Sequence, residues 1–457
     1  MKRIGWMLGL GVLLAVGAGC SDDDSTTTDD GGTDTPPTDD GTLPGDDGGA
    51  DVPPTDDGTP PGDDGGTDVP PTDDGTPPTD DAGTEDATVT PCSTPLADRI
   101  RVTAVSVAPA NVATSSGGYF TPDMPVILSP QADGSSRVGW NDGAGTTHAT
   151  PLDANDNRRG ADLTTDGGEL RGFVALDDGA ALLVRRDDVM AVVRLDDSGG
   201  TRFTTNTVGG TSHDVEGSRW IDDWSHDGRL AWNGSQFAAY HGQTGNHGSL
   251  GNHQGDRFDL LDPAGARSTN WDWGCSHSLD VRLAWNGTTF GPVCLSDCYP
   301  SKAILYNHYG MIHDEPSGNC AGGSDASLGG LAPVADGFWL DFTSREGRGS
   351  SDVGLVHITS DGTVGPVVFL MDTAAVDESK AHLARYGDDL LAAWDSGGTT
   401  TIAVVNGEGT ALEGPLASSA QFGARDDFIN WPNGDVGWAY AWGDTTQLQI
   451  VRIAHCE

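Results

Sequence analysis

The hexapeptide RLAWNG stands at Arg229–Gly234 and again at Arg282–Gly287. Each copy follows a Ser-His pair and an Asp: Ser225, His226 and Asp227 before the first, Ser276, His277 and Asp280 before the second. Each is followed by an aromatic that opens another short apolar run, Phe237 and Phe290. Asn-Gly between two apolar runs marks a tight hairpin, because such turns need positive φ. A grammar that returns after about fifty residues marks a stacked or radial array of small units, not one compact α/β core.

Outward from these copies the same unit recurs: a short run, a turn with Gly, an apolar run, then a third run ending in Asp or Asn and Gly. The units open on PVILSPQADG, RGFVALDDG, RLAWNG, RLAWNG, GLAPVADG, HLARYGD and FINWPNG. Helical periodicity is scarcely visible, and short strands at regular spacing mean an all-β sandwich, barrel or propeller. Seven units at about fifty residues each fit four-stranded blades. The pattern is similar to the β-propeller repeats of secreted and lipoprotein chains of bacteria, with an A-x-x-G hairpin before an apolar strand ending in Trp. That resemblance covers nearly all of Cys92–Glu457 and implies an all-β propeller of seven four-stranded blades. It implies no activity, because such folds host many functions. The seventh unit ends after its third strand. Ile100–Val107 alternates well and belongs to no hairpin of the first unit. It is expected to pair antiparallel with Gln447–His455, closing the ring and bringing Cys92 beside Cys456. A disulfide there would contribute about 5 kcal/mol on chain-entropy models.

The N-terminal part has another composition. Residues 1–19 carry Lys2 and Arg3, then an apolar run from Ile4 to Ala18, shorter than the ~20 residues of a membrane span. Gly17-Ala18-Gly19 precedes Cys20. This resembles a bacterial lipoprotein signal peptide, although Gly17 departs from the usual Leu. The resemblance implies that Cys20 is lipidated and becomes the N-terminus. Ser21 in place of Asp implies the outer membrane. Residues 20–91 are almost wholly Asp, Gly, Thr and Pro, and PPTDDGT starts at Pro36, Pro53 and Pro70. A segment with so few apolar side chains cannot offset the entropy of ordering. It is expected to be a disordered, extended linker reaching roughly 200 Å at most, with the folded domain at 92–457. The formal charge is −45, from 69 acids and 24 bases. That excludes nucleic acid, or an anionic bilayer, as a partner held by charge.

Seven cysteines occur. Apart from Cys20, six remain: Cys92, Cys275, Cys294, Cys298, Cys320 and Cys456. An even number in an exported chain reads as three disulfides. Among Cys275, Cys294, Cys298 and Cys320 three connectivities are open, with Cys275–Cys298 preferred. Zinc at Cys294 and Cys298 lacks a second close pair.

In a propeller, the loops entering first strands and those following second strands share one face. On that face units three and four gather Trp224, His226 and Asp227; Trp271, Trp273, His277 and Asp280; His241, His247, His253 and Asp256; and Asp297, Cys298 and Tyr299. Gly242–Gly255 reads as a long Gly-rich loop of the kind that carries function. His308 and His313 map to the opposite face. Three readings stand. The Trp and His side chains cap blades and bond to loop backbone. Or Trp224, His226, Asp227, His241, Trp271, Trp273, His277, Asp280 and Tyr299 form a ligand surface, with aromatic faces on sugar rings or apolar side chains. Or His226, His241, His247, His253, His277 and Asp256 hold a divalent metal such as zinc, manganese or iron. The Ser-His neighbours are no catalytic triad, and no nucleophile elbow, phosphate loop or dinucleotide fingerprint occurs. The functions these readings lead to are a surface-anchored propeller binding an extracellular glycan or protein, a metal-assisted polysaccharide lyase or hydrolase, and a structural envelope protein. No residue is assigned a catalytic role.

Overall fold

The computed structural model describes residues 92–112, 125–210, 212–222, 227–277, 280–296, 303–314, 326–346, 348–371, 376–441 and 443–456. Within these the chain is a seven-bladed β-propeller. Seven separate antiparallel sheets follow one another, six with four strands and blade three with a fifth short one. The first strands are Ile127–Pro130, Glu169–Leu176, Gly228–Trp232, Asp280–Trp285, Ser327–Val334, Glu378–Tyr386 and Ile429–Asn430 for blades one to seven. Those of blades two to six each pack against the next around the axis. Both RLAWNG copies do what Asn-Gly demands. Trp232 pairs with Phe237, and Trp285 with Phe290, across the turn, and Gly234 and Gly287 have φ of 95° and 99°.

The core lies between blades, because each sheet has two apolar faces and a neighbour on either side. Leu182, Val184 and Val193 of blade two pack with Ile127, Ala149 and Leu163 of blade one. Tyr240 and Phe258 of blade three pack with Val281 and Leu305 of blade four. The second strands of blades one, six and seven each bury a Trp completely: Trp140, Trp394 and Trp438. At about 25 cal/mol per Å² of apolar area, such side chains dominate the stability of each seam.

Closure follows the alternation of Ile100–Val107. Ile100–Val112 is the outer strand of blade seven, antiparallel to Gly443–Ile453, with Ile100 opposite Ile453 and Ser106 opposite Gln447. Cys92 and Cys456 are joined by a disulfide. Two expectations about blades three and four need correction first. Cys275 is bonded to Cys294, not to Cys298. Cys294 lies on the second strand of blade four, Phe290–Leu295, directly opposite Val281, and so beside the loop that enters the blade. Gly242–Gly255 is no loop. The second and third strands of blade three run through it as Phe237–Asn246 and Asn252–Leu261, joined by a 3₁₀ turn at Gly248–Leu250. Beyond Gly228–Trp232 this hairpin continues for about five residues, roughly 16 Å, and takes the short strand Arg219–Trp220 as a new partner. Its glycines read as turn formers, but two of them instead leave room for a side chain lying across the sheet. Cys20, Trp224, His226, Asp297, Cys298, Tyr299 and Cys320 lie outside the described residues.

Candidate functional site

The sector of blades three and four brings several candidates together, mostly as packing. Trp273 is sandwiched. The Arg219 guanidinium carbon sits 4.7 Å from its ring centre, and a Cβ on Gly245 or Gly255 would fall 2.7 or 3.0 Å from the ring. His247 meets it edge-on at 4.6 Å. Trp271 stacks on His308 at 4.9 Å and turns an edge to Tyr240, while its Nε1 donates to Asn307 at 3.3 Å. His308 thus sits against this sector and not on the far face. The third strand of blade four, Ala303–Tyr306, has only four residues, so its turn comes at mid-height beside Trp271. His313 is buried, with Nε2 3.3 Å from the Ser344 hydroxyl.

The loop 273–277 is pinned from below. Buried Asp256 accepts hydrogen bonds from the Tyr240 hydroxyl (2.5 Å) and from the backbone of Gly274 and Cys275. Burial pushes its carboxyl up to about 6, against those three donors. The Cys275–Cys294 bond holds the same loop, and Trp273 and His277 adopt φ of 70° and 50° within it. Side chains rarely hold that region without such restraint.

Among the described residues no three of the metal candidates bring their ligand atoms together. His241 is fully buried, and its Nδ1 lies 2.6 Å from the Gly242 carbonyl. Burial pushes its imidazole down to about 4. His253 and His277 meet edge-on at 4.8 Å around the Ser276 hydroxyl. The described group of three ligand atoms within 4.8 Å of one another is Asp256, Cys275 and Cys294. Two of those are the disulfide sulfurs, which offer no thiolate.

Convergence occurs elsewhere, on the axis. In a strand, residues i and i+2 share a face. At the start of the first strands acid and arginine come together: Glu169 and Arg171 in blade two, Asp227, just before the strand, and Arg229 in blade three, Asp280 and Arg282 in blade four. The segment before blade seven adds Arg425 and Asp427. Asp227 accepts from Arg229 (3.0 Å) and Arg425 (2.8 Å), and from the Val281 N–H (3.0 Å). Asp427 pairs with Arg229 at 3.0 Å and Arg425 at 3.1 Å. Asp280 pairs with Arg282. Arg282 also donates to the Leu328 and Ala424 carbonyls at 3.3 Å, and Arg425 to the Gly228 carbonyl at 2.6 Å. Arg425 donates to the Arg171 carbonyl as well, so three arginines and three aspartates tie blades two, three, four, five and seven around the axis.

The two carboxylates that precede the RLAWNG repeats differ. Burial works against charge on Asp227, but Arg229 and Arg425 hold its carboxyl well below the usual range. Burial pushes Asp280 up to about 6, opposed by Arg282 and reinforced by the charge of Asp227, to which it hydrogen-bonds. The side chains of Asp280 and Asp427 are 24% and 26% exposed, whereas Arg229 is 5% exposed. Arg229 Nη2 makes no hydrogen bond among the described residues; Asp280 Oδ1 is 3.8 Å away. Around this hub, burial pushes Asp341 up to about 8 and His382 down to about 3, so both are neutral at pH 7. Sequence reading singled out Asp227 and Asp280 but missed Arg229, Arg282, Arg425 and Asp427. For the first two the signal was present: an acid two residues before an arginine at the start of three consecutive blades.

The architecture is that of a seven-bladed propeller with a charged axial hub. No protein-family model matches the sequence, and no curated protein does. Solved structures similar to it include an alpha-L-arabinanase of Penicillium chrysogenum, complexed with arabinobiose. It is 11% identical, with a TM-score of 0.41, over 76% of this chain and 98% of that one. A luciferin-regenerating enzyme is 10% identical, with a TM-score of 0.35, over 78% and 95%. A prolyl endopeptidase is 13% identical, with a TM-score of 0.38, over 69% of this chain and 45% of that one. At these identities nothing about activity passes to this chain.

Proposed function

We propose that the protein is an outer-membrane lipoprotein, anchored through Cys20, whose propeller binds an extracellular glycan at the charged cluster on its axis. One observation carries the reading. Two partly exposed carboxylates, Asp280 and Asp427, flank a buried guanidinium with an unused donor, Arg229 Nη2. Sugar hydroxyls both donate and accept, so neighbouring hydroxyls match a carboxylate beside a guanidinium. Three arginines against three aspartates leave no net charge to demand an anion. Trp271 and Trp273 hold the rim together and do not serve as stacking platforms.

Calorimetry on glycans that bind the full-length protein on an array tests this. Asp280→Asn and Asp427→Asn are each expected to weaken binding about tenfold or more, the loss of one charge-assisted hydrogen bond. Binding unchanged in both variants refutes the axial site. Cys20→Ala is expected to move the protein out of the membrane fraction; retention there refutes the anchor.

A second reading is hydrolysis of the bound glycan. It is favoured by the Asp227–Asp280 pair, in which one carboxyl is held ionised and its neighbour is raised to about 6. Such divergence suits a general acid beside a fixed anion. New reducing ends released by the parent and not by Asp280→Asn would favour it over simple binding.

A further inference from the structure

Basic residues are scarce in this chain, at 24 against 69 acids, yet three arginines line one cavity away from the axis. The cavity, about 310 Å³, opens at the seam between blades two and three. Its walls include Asn206 and Thr207 from the outer strand of blade two, Thr201–Val208, and Ser218 and Arg219 from the segment leading into blade three. Arg257 and Arg267 come from the third and fourth strands of blade three.

The arginines are unequally engaged. Arg257 is buried and makes a direct ion pair with Asp259 at 2.8 Å, and it also donates to Thr269. Arg267 donates to the Asn206 and Thr207 carbonyls, but its closest carboxylate, Asp259, is 3.8 Å away. Arg219 lies over Trp273 and donates to the Ser218 carbonyl at 3.0 Å. Its Nε is buried without a hydrogen bond among the described residues, and Asp272, 40% exposed, is 3.7 Å off. Three guanidiniums therefore face two carboxylates, only one of them in direct contact. A −45 chain disfavours anions nearly everywhere, so a local excess of positive charge with an unused donor is where one would be held. Forked donors on several sides match the oxygens of a carboxylate, sulfate or phosphate group. The stacking of Arg219 on Trp273 fixes one fork in place.

We propose that the seam between blades two and three is an oxyanion-binding site, built from Arg219, Arg257 and Arg267. It would take the acidic group of a uronate or sulfated glycan, or a free inorganic oxyanion. The proposal does not rest on the axial reading, because no residue is shared between the two sites.

The test is calorimetry of the full-length protein against sodium sulfate, sodium phosphate and sodium D-glucuronate, each at matched ionic strength in chloride. Saturable binding of at least one is expected, weakened about tenfold or more in Arg219→Gln and in Arg267→Gln, since each loses a charge-assisted contact. Arg202→Gln removes an exposed arginine from the outer strand of blade two, outside the cavity, and is expected to leave affinity unchanged. Glucuronate binding assigns the site to a uronate carboxylate; sulfate or phosphate binding without it assigns a tetrahedral oxyanion and excludes the uronate. Should a Gln variant fail to fold, Arg219→Lys and Arg267→Lys keep the charge without the fork and are expected to bind more weakly than the parent. No saturable heat with any of the three anions overturns the site, as does affinity equal to the parent's in every folded Arg219 and Arg267 variant.

Discussion

Asp227→Asn is the sharpest probe of the axial hub. Asp227 accepts from Arg229, Arg425 and the Val281 amide. An asparagine keeps the shape but removes the charge, leaving three buried arginines with two carboxylates. Breaking a buried pair of this kind costs about 3–5 kcal/mol. The loss should depend on pH. In the parent, burial and, after it, the charge of Asp227 hold Asp280 at about 6 against an ordinary 3.8. The folded state therefore binds a proton more tightly than the unfolded one between these values. Its contribution is full below about 4 and falls as pH rises to 6, by about 3 kcal/mol at 1.36 kcal/mol per unit. Without the Asp227 charge the burial of Asp280 remains but the neighbouring arginines are less opposed, so that fall becomes smaller. The substitution should thus be most damaging near pH 4.5 and cost less at pH 7.5. Taking the difference between parent and variant in urea unfolding cancels the other titrating groups. A penalty below about 1 kcal/mol at pH 4.5, or one that is flat across this range, would refute the coupled pair.

Three further outcomes follow from packing and burial. A Cβ at Gly330 would lie 2.2 Å from the Leu383 amide nitrogen, where the inner strands of blades five and six approach. Gly330→Ala should cost about 3 kcal/mol in urea unfolding, whereas Gly143→Ala, with nothing within 4 Å, should be near neutral. Cys456→Ser opens a loop of 364 residues and should cost about 5 kcal/mol; reductant should then remove about 3 more through Cys275–Cys294, 19 residues apart. Asp341 is raised to about 8 by burial, so its contribution is full below about 4 and falls as pH rises through 8. Asp341→Asn should gain stability relative to the parent between pH 4.5 and 8.5 in thermal unfolding; a constant difference would count against a buried neutral acid.

Much of the architecture was legible because it is local. Asn-Gly sets a hairpin wherever it falls between apolar runs, and the return of RLAWNG after some fifty residues counts units without any long-range contact. Even ring closure could be read, since Ile100–Val107 alternates with no partner nearby and the last unit lacks one strand. The site was less legible. Gly242–Gly255 reads as a loop because glycine favours turns; it forms two paired strands, in which Gly245 and Gly255 leave the bare surface that Trp273 crosses. Trp271 and Trp273 look like ligand platforms in sequence, yet Trp273 is covered on both faces and Trp271 is stacked by His308. Both covers come from residues distant in the chain, Arg219 and His308.

The amino-acid order alone determined the number of blades, the strand that closes the ring and the Cys92–Cys456 link, because period-two alternation and turn chemistry act within a few residues. It also carried the acid-x-Arg repeat, since side chains two apart share a strand face. Only the tertiary structure decided that Asp227 and Asp280 meet Arg425 and Asp427, some two hundred residues from Asp227, and that three sparse arginines line one seam. Radial packing sets those distances, and charges act through space without regard to their separation along the chain.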